Sequence, residues 1–462
     1  MKKEYDVAIV GAGPSGLFTA YELTKLYGKK IRIGLFDKGE IINKRVCPSP
    51  IIKKGCMDCS PCGISEGIMG AGMKSDGKLH FHRDVMEVFK MGLLSGPETD
   101  DALIYLEKLF ENWGLNGPVY PKNPELAIKL SKQIEDLNLG DGFLLKVKQR
   151  TRHVGSDKLP FLVSRMVDEI LEQGNVDIQV RSSLLSYDNI GGQSILTVKK
   201  EGNIDRISAG KTFIGLGRRG SLQVQGLIDQ FSITHSYRPV EIGGRVEIPK
   251  EVMEKITAQV YNPLFWQRND QGKATFTFCA NPGGYLSTES LLPGIVGVNG
   301  ESKTDIKSPK TNFAVLTELP ILDGERPNDT LVGILKSGFQ NQKPLVQTTA
   351  DFIEGTIKDE LSRPESTMAG VEYANIAQIF PKSVTQEISS FLLRLDTVCP
   401  GVVSHYSLFL APEGKIRGMR VIPRDAGLMT NVDNLYLLGD SSGLSSNITA
   451  AAMTGVLAAR DF

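Results

Sequence analysis

Six residues near the start, Gly11-Ala12-Gly13-Pro14-Ser15-Gly16, constrain what this chain can fold into more than any other stretch. They follow Tyr5-Asp6-Val7-Ala8-Ile9-Val10, an apolar run with Val and Ile that reads as a buried parallel strand. Leu17 to Leu26 then reads as a helix. Glycines so placed allow a tight turn and close backbone approach to a pyrophosphate, which the free N–H groups and partial positive charge of a helix N-terminus attract. A second strand, Ile31 to Phe36, delivers Asp37 and Lys38 about twenty residues beyond Gly16, where a carboxylate accepts hydrogen bonds from a ribose 2′-OH and disfavours a 2′-phosphate. GxGxxG alone is weak evidence, a glycine-rich turn being the plain alternative. Strand, turn, helix, strand and acid together predict a dinucleotide-binding βαβ unit, with Gly11, Gly13, Pro14, Ser15, Gly16, Asp37 and Lys38 at the cofactor.

Near the other end, Asn434-Leu435-Tyr436-Leu437-Leu438-Gly439-Asp440 is a short apolar strand stopped by Gly-Asp, followed by a small-residue helix from about Ile448. This arrangement resembles the second FAD signature of glutathione-reductase-like flavoproteins. The resemblance implies that Gly439 and Asp440 meet the ribityl chain, and that Ile448, Thr449 and Ala450 point a helix N-terminus at the flavin pyrimidine. An NAD domain has no need of this second element, so FAD is the expected cofactor.

Between these ends lies Gly70-Ala71-Gly72-Met73-Lys74-Ser75-Asp76-Gly77-Lys78. Glycines there let the chain pass flat against a flavin, where a Cβ would clash. Gly70, Ala71, Gly72, Ser75, Asp76 and Gly77 are thus expected at the cofactor, with Ser75 and Lys78 as candidate catalytic groups reaching the ring edge. Val176 to Val180 is the strand expected to return to the nucleotide sheet near the adenine, and Lys211 to Gly217 closes that sheet with Gly215 and Gly217. Gly215 to Gly220 also spells GxGxxG, but no full helix, second strand and acid are expected to follow it, which argues against a second, NADPH-binding unit.

The runs Cys47 through Ser75-Asp76-Gly77-Lys78-Leu79, Val154 to Leu159, Gly244 to Glu247, Phe278 to Gly284, Val298 to Gly300 and Thr311 to Phe313 resemble a widespread family of FAD-dependent dehydrogenases. The resemblance covers nearly the whole chain and implies an FAD fold, but is a poor guide to substrate. The chain departs from the family pattern at Met69, where glycine is usual, and at Gly217-Arg218-Arg219, in place of Gly-His-Ser.

The fold class expected is α/β, a discontinuous Rossmann-like FAD-binding domain (1–80, 151–236 and 426–462) with an inserted mixed α+β substrate or cap domain (237–425) and a helical insertion (81–150). Amphipathic patterns place helices at Asp84 to Leu94, Glu98 to Asn112 and Asn123 to Leu137. His80 and His82, two apart on an extended segment, would point the same way beside the flavin loop.

Four of the six cysteines fall in one stretch, Cys47, Cys56, Cys59 and Cys62. CxxCxxC spacing suits a [4Fe–4S] cluster or zinc, a redox dithiol exchanging electrons with the flavin, or merely reduced loop thiols. Lys plus Arg and Asp plus Glu are both 53, so there is no electrostatic footprint for nucleic acid or an anionic membrane. No apolar run approaches a membrane span, the first strand leaves no room for a signal peptide, and a cytoplasmic protein is expected. The function expected is an FAD-dependent oxidoreductase acting on a small molecule or an electron donor or acceptor protein. The alternatives are a non-catalytic nucleotide binder on the same fold, or a flavin monooxygenase, which the lack of a mid-chain Asp-Gly element disfavours.

Overall fold

The first strand, β1 (Lys3–Val10), runs through the parallel part of a mixed sheet, with Val7, Ala8, Ile9 and Val10 all buried as a strand covered on both faces requires. The structure, a computed structural model, describes residues 3–48, 56–147, 150–292, 294–339, 343–357 and 364–462. Beyond helix α1 (Pro14–Tyr27), β2 (Ile33–Phe36) pairs with one side of β1, and β3 (Val176–Gln179) extends the sheet as expected. Strands β4 (Ser182–Ile190), β5 (Gln193–Lys200) and β6 (Asn203–Ile214) complete the order β3-β2-β1-β6-β5-β4. Long β6 serves two sheets' worth of pairing. Its first half is antiparallel to β5, and its end is parallel to β7 (Leu435–Leu437) at Thr212 to Ile214. The parallel ends of β1, β6 and β7 thus open at one edge, where ligands of such sheets bind.

Helix α2 (Ile448–Arg460) lies on α1, and glycine is what permits the contact: a Cβ on Gly455 would stand 2.2 Å from the Ser15 carbonyl oxygen. The class expected from sequence, a Rossmann-like α/β fold assembled from distant stretches, is the one observed. Of the helices expected in 81–150, the second spans Gly96–Asn112 with a Ser95/Glu98 capping box, and the third spans Pro124–Glu135 under an Asn123 cap. The first shrinks to Glu87–Lys90. Leu144–Lys146 of the same stretch forms the edge strand of the second sheet.

That second sheet has eight strands, in the order Glu372–Tyr373, Leu345–Thr348, Leu408–Lys415, Glu241–Pro249, Lys310–Glu318, Ala274–Pro282, Leu264–Arg268 and Leu144–Lys146. It is mixed, with one parallel pair at the Glu372 edge. A separate hairpin, Tyr285–Leu292 with Ile295–Glu301, stands over the open edge of the nucleotide sheet. No helix among the described residues is long and apolar enough to cross a membrane.

Candidate functional site

A cleft of about 460 Å³ runs between the two sheets, and the turn after β1 forms its floor. The three motif glycines there do different work. Gly11 has φ +98°, and a Cβ on it would lie 2.2 Å from the Gly215 carbonyl oxygen, so the turn and β6 touch through bare backbone. A Cβ on Gly16 would lie 1.9 Å from the Gly11 carbonyl oxygen. A Cβ on Gly13 meets no heavy atom within 4 Å. Gly13 caps α1 with no side-chain hydrogen bond, Pro14 follows, and the free N–H groups of the first turn open on the cleft. This is the cradle that a pyrophosphate needs and a side chain would fill.

Asp37 lines the cleft at the end of β2 and is already busy. Its carboxylate accepts the N–H of Ala12 (2.7 Å), Gly39 (2.7 Å) and Gly67 (2.9 Å). Burial raises its pKa, opposed by those donors and by Arg45. A carboxylate offers about four acceptor positions, so one remains for a ribose hydroxyl. Arg45, unmarked in sequence, is buried and donates to the carbonyls of Ile68 (2.5 Å), Ile64 (2.6 Å) and Gly70 (2.8 Å). Burial brings its pKa down to about 10. It shapes the approach to the 3-10 turn Gly70–Lys74.

That turn draws the expected segments together. A Cβ on Gly70 would lie 3.3 Å from the Gly13 Cα, and one on Gly72 would lie 3.4 Å from both Pro14 and Ile448. Gly11, Gly13, Pro14, Ser15, Lys38, Gly70, Ala71, Gly72, Ser75, Asp76, Lys78, Gly215, Gly217, Asp440 and Ile448 accordingly share one cleft with Asp37. Gly16, Gly77, Val180, Gly439, Thr449 and Ala450 are outside its lining. Gly77 packs on the Gly155 backbone, Gly439 on Ser15, and the Ala450 N–H is taken by the Asn447 cap of α2 (2.9 Å). Asp440 accepts a hydrogen bond from the Ser445 hydroxyl.

The departure at Met69 has a physical reading. Its φ is +68°, the left-handed region where glycine is at ease, yet its side chain is fully buried. Arg218 and Arg219 are likewise tied down, Arg218 to Glu289 (2.9 Å) and Arg219 to Glu66 (3.2 Å). After Gly220 a helix does follow, Ser221–Gln230, contrary to the expectation from sequence. The next strand, His235–Tyr237, pairs antiparallel with Met419–Val421 instead of continuing the nucleotide sheet, so no second βαβ unit forms here.

The two candidate catalytic groups have intramolecular partners. Ser75 donates to the Gly72 carbonyl (2.8 Å) and accepts the Gly77 N–H (3.2 Å), so it builds the turn. Lys78, on the strand Lys78–His80, sends its ammonium to Asp76 (2.9 Å), to Asn281 Oδ1 (2.9 Å) and to the Ala280 carbonyl. Burial alone would raise the Asp76 carboxyl; the Lys78 ammonium more than offsets this and holds it at about 2. His80 lines the cleft with Nδ1 2.9 Å from Thr151 Oγ1, whereas His82 faces Asp84 outside it. The two histidines diverge because the strand ends at His80.

Sequence reasoning missed the far wall, made by Phe278, Cys279, Glu289, Asn299, Lys415 and Arg417. Each charge there is answered: Glu289 also takes Asn299 (3.1 Å), Lys415 meets Glu413 (3.0 Å) and Arg417 meets Glu241 (2.9 Å). No motif marks these residues, which come from separate strands and one turn. Only Phe278, Cys279 and Asn299 stood in runs already singled out.

The cysteine stretch is not assembled as a metal site. Among the described residues no group of three His, Cys, Asp or Glu side chains is placed to hold a metal ion, so the expected set Cys47, Cys56, Cys59 and Cys62 does not converge as cluster or zinc ligands. The loop is shaped by other contacts. Cys56 Sγ accepts the Asp58 N–H (3.4 Å), and Asp58, at φ +47°, turns its carboxylate to Ser290 Oγ (2.9 Å) and the Gly294 N–H (2.7 Å) of the roofing hairpin.

With the cleft described, the comparison with known proteins is direct. Residues 239–416 match the family of FAD-dependent proteins, C-terminal domain-like. The resemblance to FAD-dependent proteins therefore holds, and it falls on the sheet that supplies the far wall. No curated protein matches the chain. Among solved structures the chain is similar to p-nitrophenol 4-monooxygenase from Pseudomonas putida DLL-E4, at 11% identity and a TM-score of 0.42 over 100% of this chain and 78% of that one. It is also similar to glycine oxidase from Geobacillus kaustophilus, at 12% identity and a TM-score of 0.41 over 99% and 94%. A flavoprotein/dehydrogenase from Cytophaga hutchinsonii gives 10% identity and a TM-score of 0.42 over 99% and 76%.

Proposed function

We propose that this chain is an FAD-dependent oxidoreductase whose flavin lies in the cleft between the sheets. The observation that carries this reading is the open space at Gly13, beside the free N–H groups of α1 and within reach of Gly70, Gly72 and Asp440. Gly11, Gly13, Pro14 and Ser15 would hold the pyrophosphate, Asp37 with its remaining acceptor position a ribose hydroxyl, and Asp440 the ribityl chain. When bound, FAD supplies the capacity to exchange a hydride or single electrons with a partner. The chain's own residues orient it and exclude water. Ser75 keeps the glycine turn flat, and the wall from Phe278 to Arg417 closes the cleft toward the second sheet.

The partner is a small molecule or an electron donor or acceptor protein. The charged wall groups are paired, with Glu413 shared between Lys415 and the buried Arg245. Purified protein should carry the visible absorbance of oxidised flavin, or regain it when FAD is added. Bleaching by candidate donors without oxygen then separates an enzyme from a holder of nucleotide. A protein that takes up no FAD at any concentration refutes the reading.

A further inference from the structure

The wall segment Phe278-Cys279-Ala280-Asn281 is held in an unusual way. The strand Ala274–Pro282 slips register against Lys310–Glu318 between Phe278 and Asn281, and within that bulge Cys279 adopts φ +47°. Bulges beside active sites re-aim side chains, and a left-handed residue other than glycine persists only where its surroundings hold it there. The holding groups come from three places. Arg245 donates to the Cys279 carbonyl (3.2 Å), and Asn262 accepts the Ala280 N–H (2.9 Å). Lys78, on the other side of the cleft, donates to the Ala280 carbonyl and to Asn281 Oδ1 (2.9 Å). Its side chain is 1% exposed, and Asp76, itself 9% exposed, neutralises the ammonium at 2.9 Å. Both partners line the cleft, together with Phe278 and Cys279.

We propose that Lys78 is a positioning residue: its ammonium, balanced by Asp76, clamps the Cys279 bulge so that the Cys279 thiol and the Phe278 ring form the wall meeting the bound flavin. This deepens the function proposed above and rests on it. A cation at the ring edge would have had a free donor. Lys78 donates to Ala280 and Asn281 and is ion-paired with Asp76, so its effect on the cofactor passes through the segment it holds.

The test is alkylation of Cys279 by iodoacetamide in the full-length protein, mapped by peptide mass spectrometry, with and without FAD. The quantity read is the ratio of the two rates, compared between variants at one pH. In the wild type FAD protects Cys279 by about tenfold or more, and in Lys78→Met that ratio falls toward unity because charge-assisted hydrogen bonds to the bulge are lost. Lys78→Arg, which keeps charge and donors, regains most of the protection and the wild-type flavin spectrum. Asn281→Ala removes one clamp bond while leaving the Asp76–Lys78 pair, and tests the idea with a partial loss should Lys78→Met not fold. An unchanged protection ratio in folded Lys78→Met overturns the clamp, as does bound FAD that leaves wild-type Cys279 fully reactive. If the protein binds no FAD, the function reading fails, and hydrogen exchange decides the clamp alone. The amides of Phe278 to Asn281 should then exchange about tenfold faster in Lys78→Met, and equal exchange refutes it.

Discussion

Gly13→Val separates the cofactor's requirement from the fold's. The new side chain enters open space, since nothing lies within 4 Å of its Cβ, and the backbone at φ −70° and ψ −177° suits a β-branched residue. The apoprotein should therefore lose no more than about 1 kcal/mol, the usual cost of a poor N-cap residue. A pyrophosphate in the cradle is displaced from the N–H groups of α1. Two charge-assisted hydrogen bonds at about 1.5–3 kcal/mol each make about 3–6 kcal/mol, a rise in Kd of roughly 10²- to 10⁴-fold. Gly11→Ala is the contrasting variant. Its Cβ would sit 2.2 Å from the Gly215 carbonyl oxygen at φ +98°, so left-handed strain of about 1–2 kcal/mol adds to overpacking of about 1–3 kcal/mol. FAD titration by fluorescence quenching, beside urea denaturation of the apoproteins, reads both quantities. Wild-type FAD affinity in Gly13→Val, or an apoprotein as unstable as Gly11→Ala, would refute the reasoning.

Acidification should weaken the fold from its first steps below neutrality. Burial and then the Lys78 charge lower the His153 pKa from 6.5 to about 4, so the unfolded chain binds a proton that the folded one refuses; stability falls as pH drops from 6.5 toward 4, by about 2–3 kcal/mol in all. His153→Gln should flatten that part of the denaturation-versus-pH curve, and the Asp76 contribution, present above pH 3.8, is lost only as pH approaches 2. Met69→Gly relieves strain of about 1–2 kcal/mol but forfeits a buried side chain worth about 2–5 kcal/mol, so a net loss of about 1–3 kcal/mol is expected in urea, and a more stable variant would reverse the ranking. Asp58→Ala strips the acceptor from Ser290 and Gly294. Amides of the hairpin Tyr285–Glu301 should exchange about tenfold faster, and unchanged exchange would mean that the cysteine loop does not brace the roof.

The parts of this protein legible in its sequence are those whose physics is local. A strand buried on both faces must be apolar throughout, a turn that touches bare backbone must be glycine, and an N-capped amphipathic run must coil. Residues 3–38, the return strand Val176–Gln179, the closing strand ending at Ile214 and the Gly439-Asp440 turn were all recognisable on those grounds. Sequence could not assign separate tasks to the three motif glycines, because the obstacle at Gly11 is the carbonyl of Gly215, two hundred residues away in the chain. Nor could it find the far wall. Cys279, Glu289, Asn299, Lys415 and Arg417 lie on separate segments of a sheet and hairpin that only the fold brings over the cleft. The same holds for Lys78, whose partners Ala280 and Asn281 are more than two hundred residues away. Among the described residues the four cysteines at ligand spacing form no metal-holding group, since spacing limits which thiols could meet but does not bring them together, and the Asp58 contacts tie the loop to the hairpin. Sequence thus determined the nucleotide fold and the glycine-lined end of the cleft, where the constraints are steric and local. Tertiary structure alone decided the opposite wall, where Arg218 meets Glu289 and Arg417 meets Glu241 only after the chain has folded.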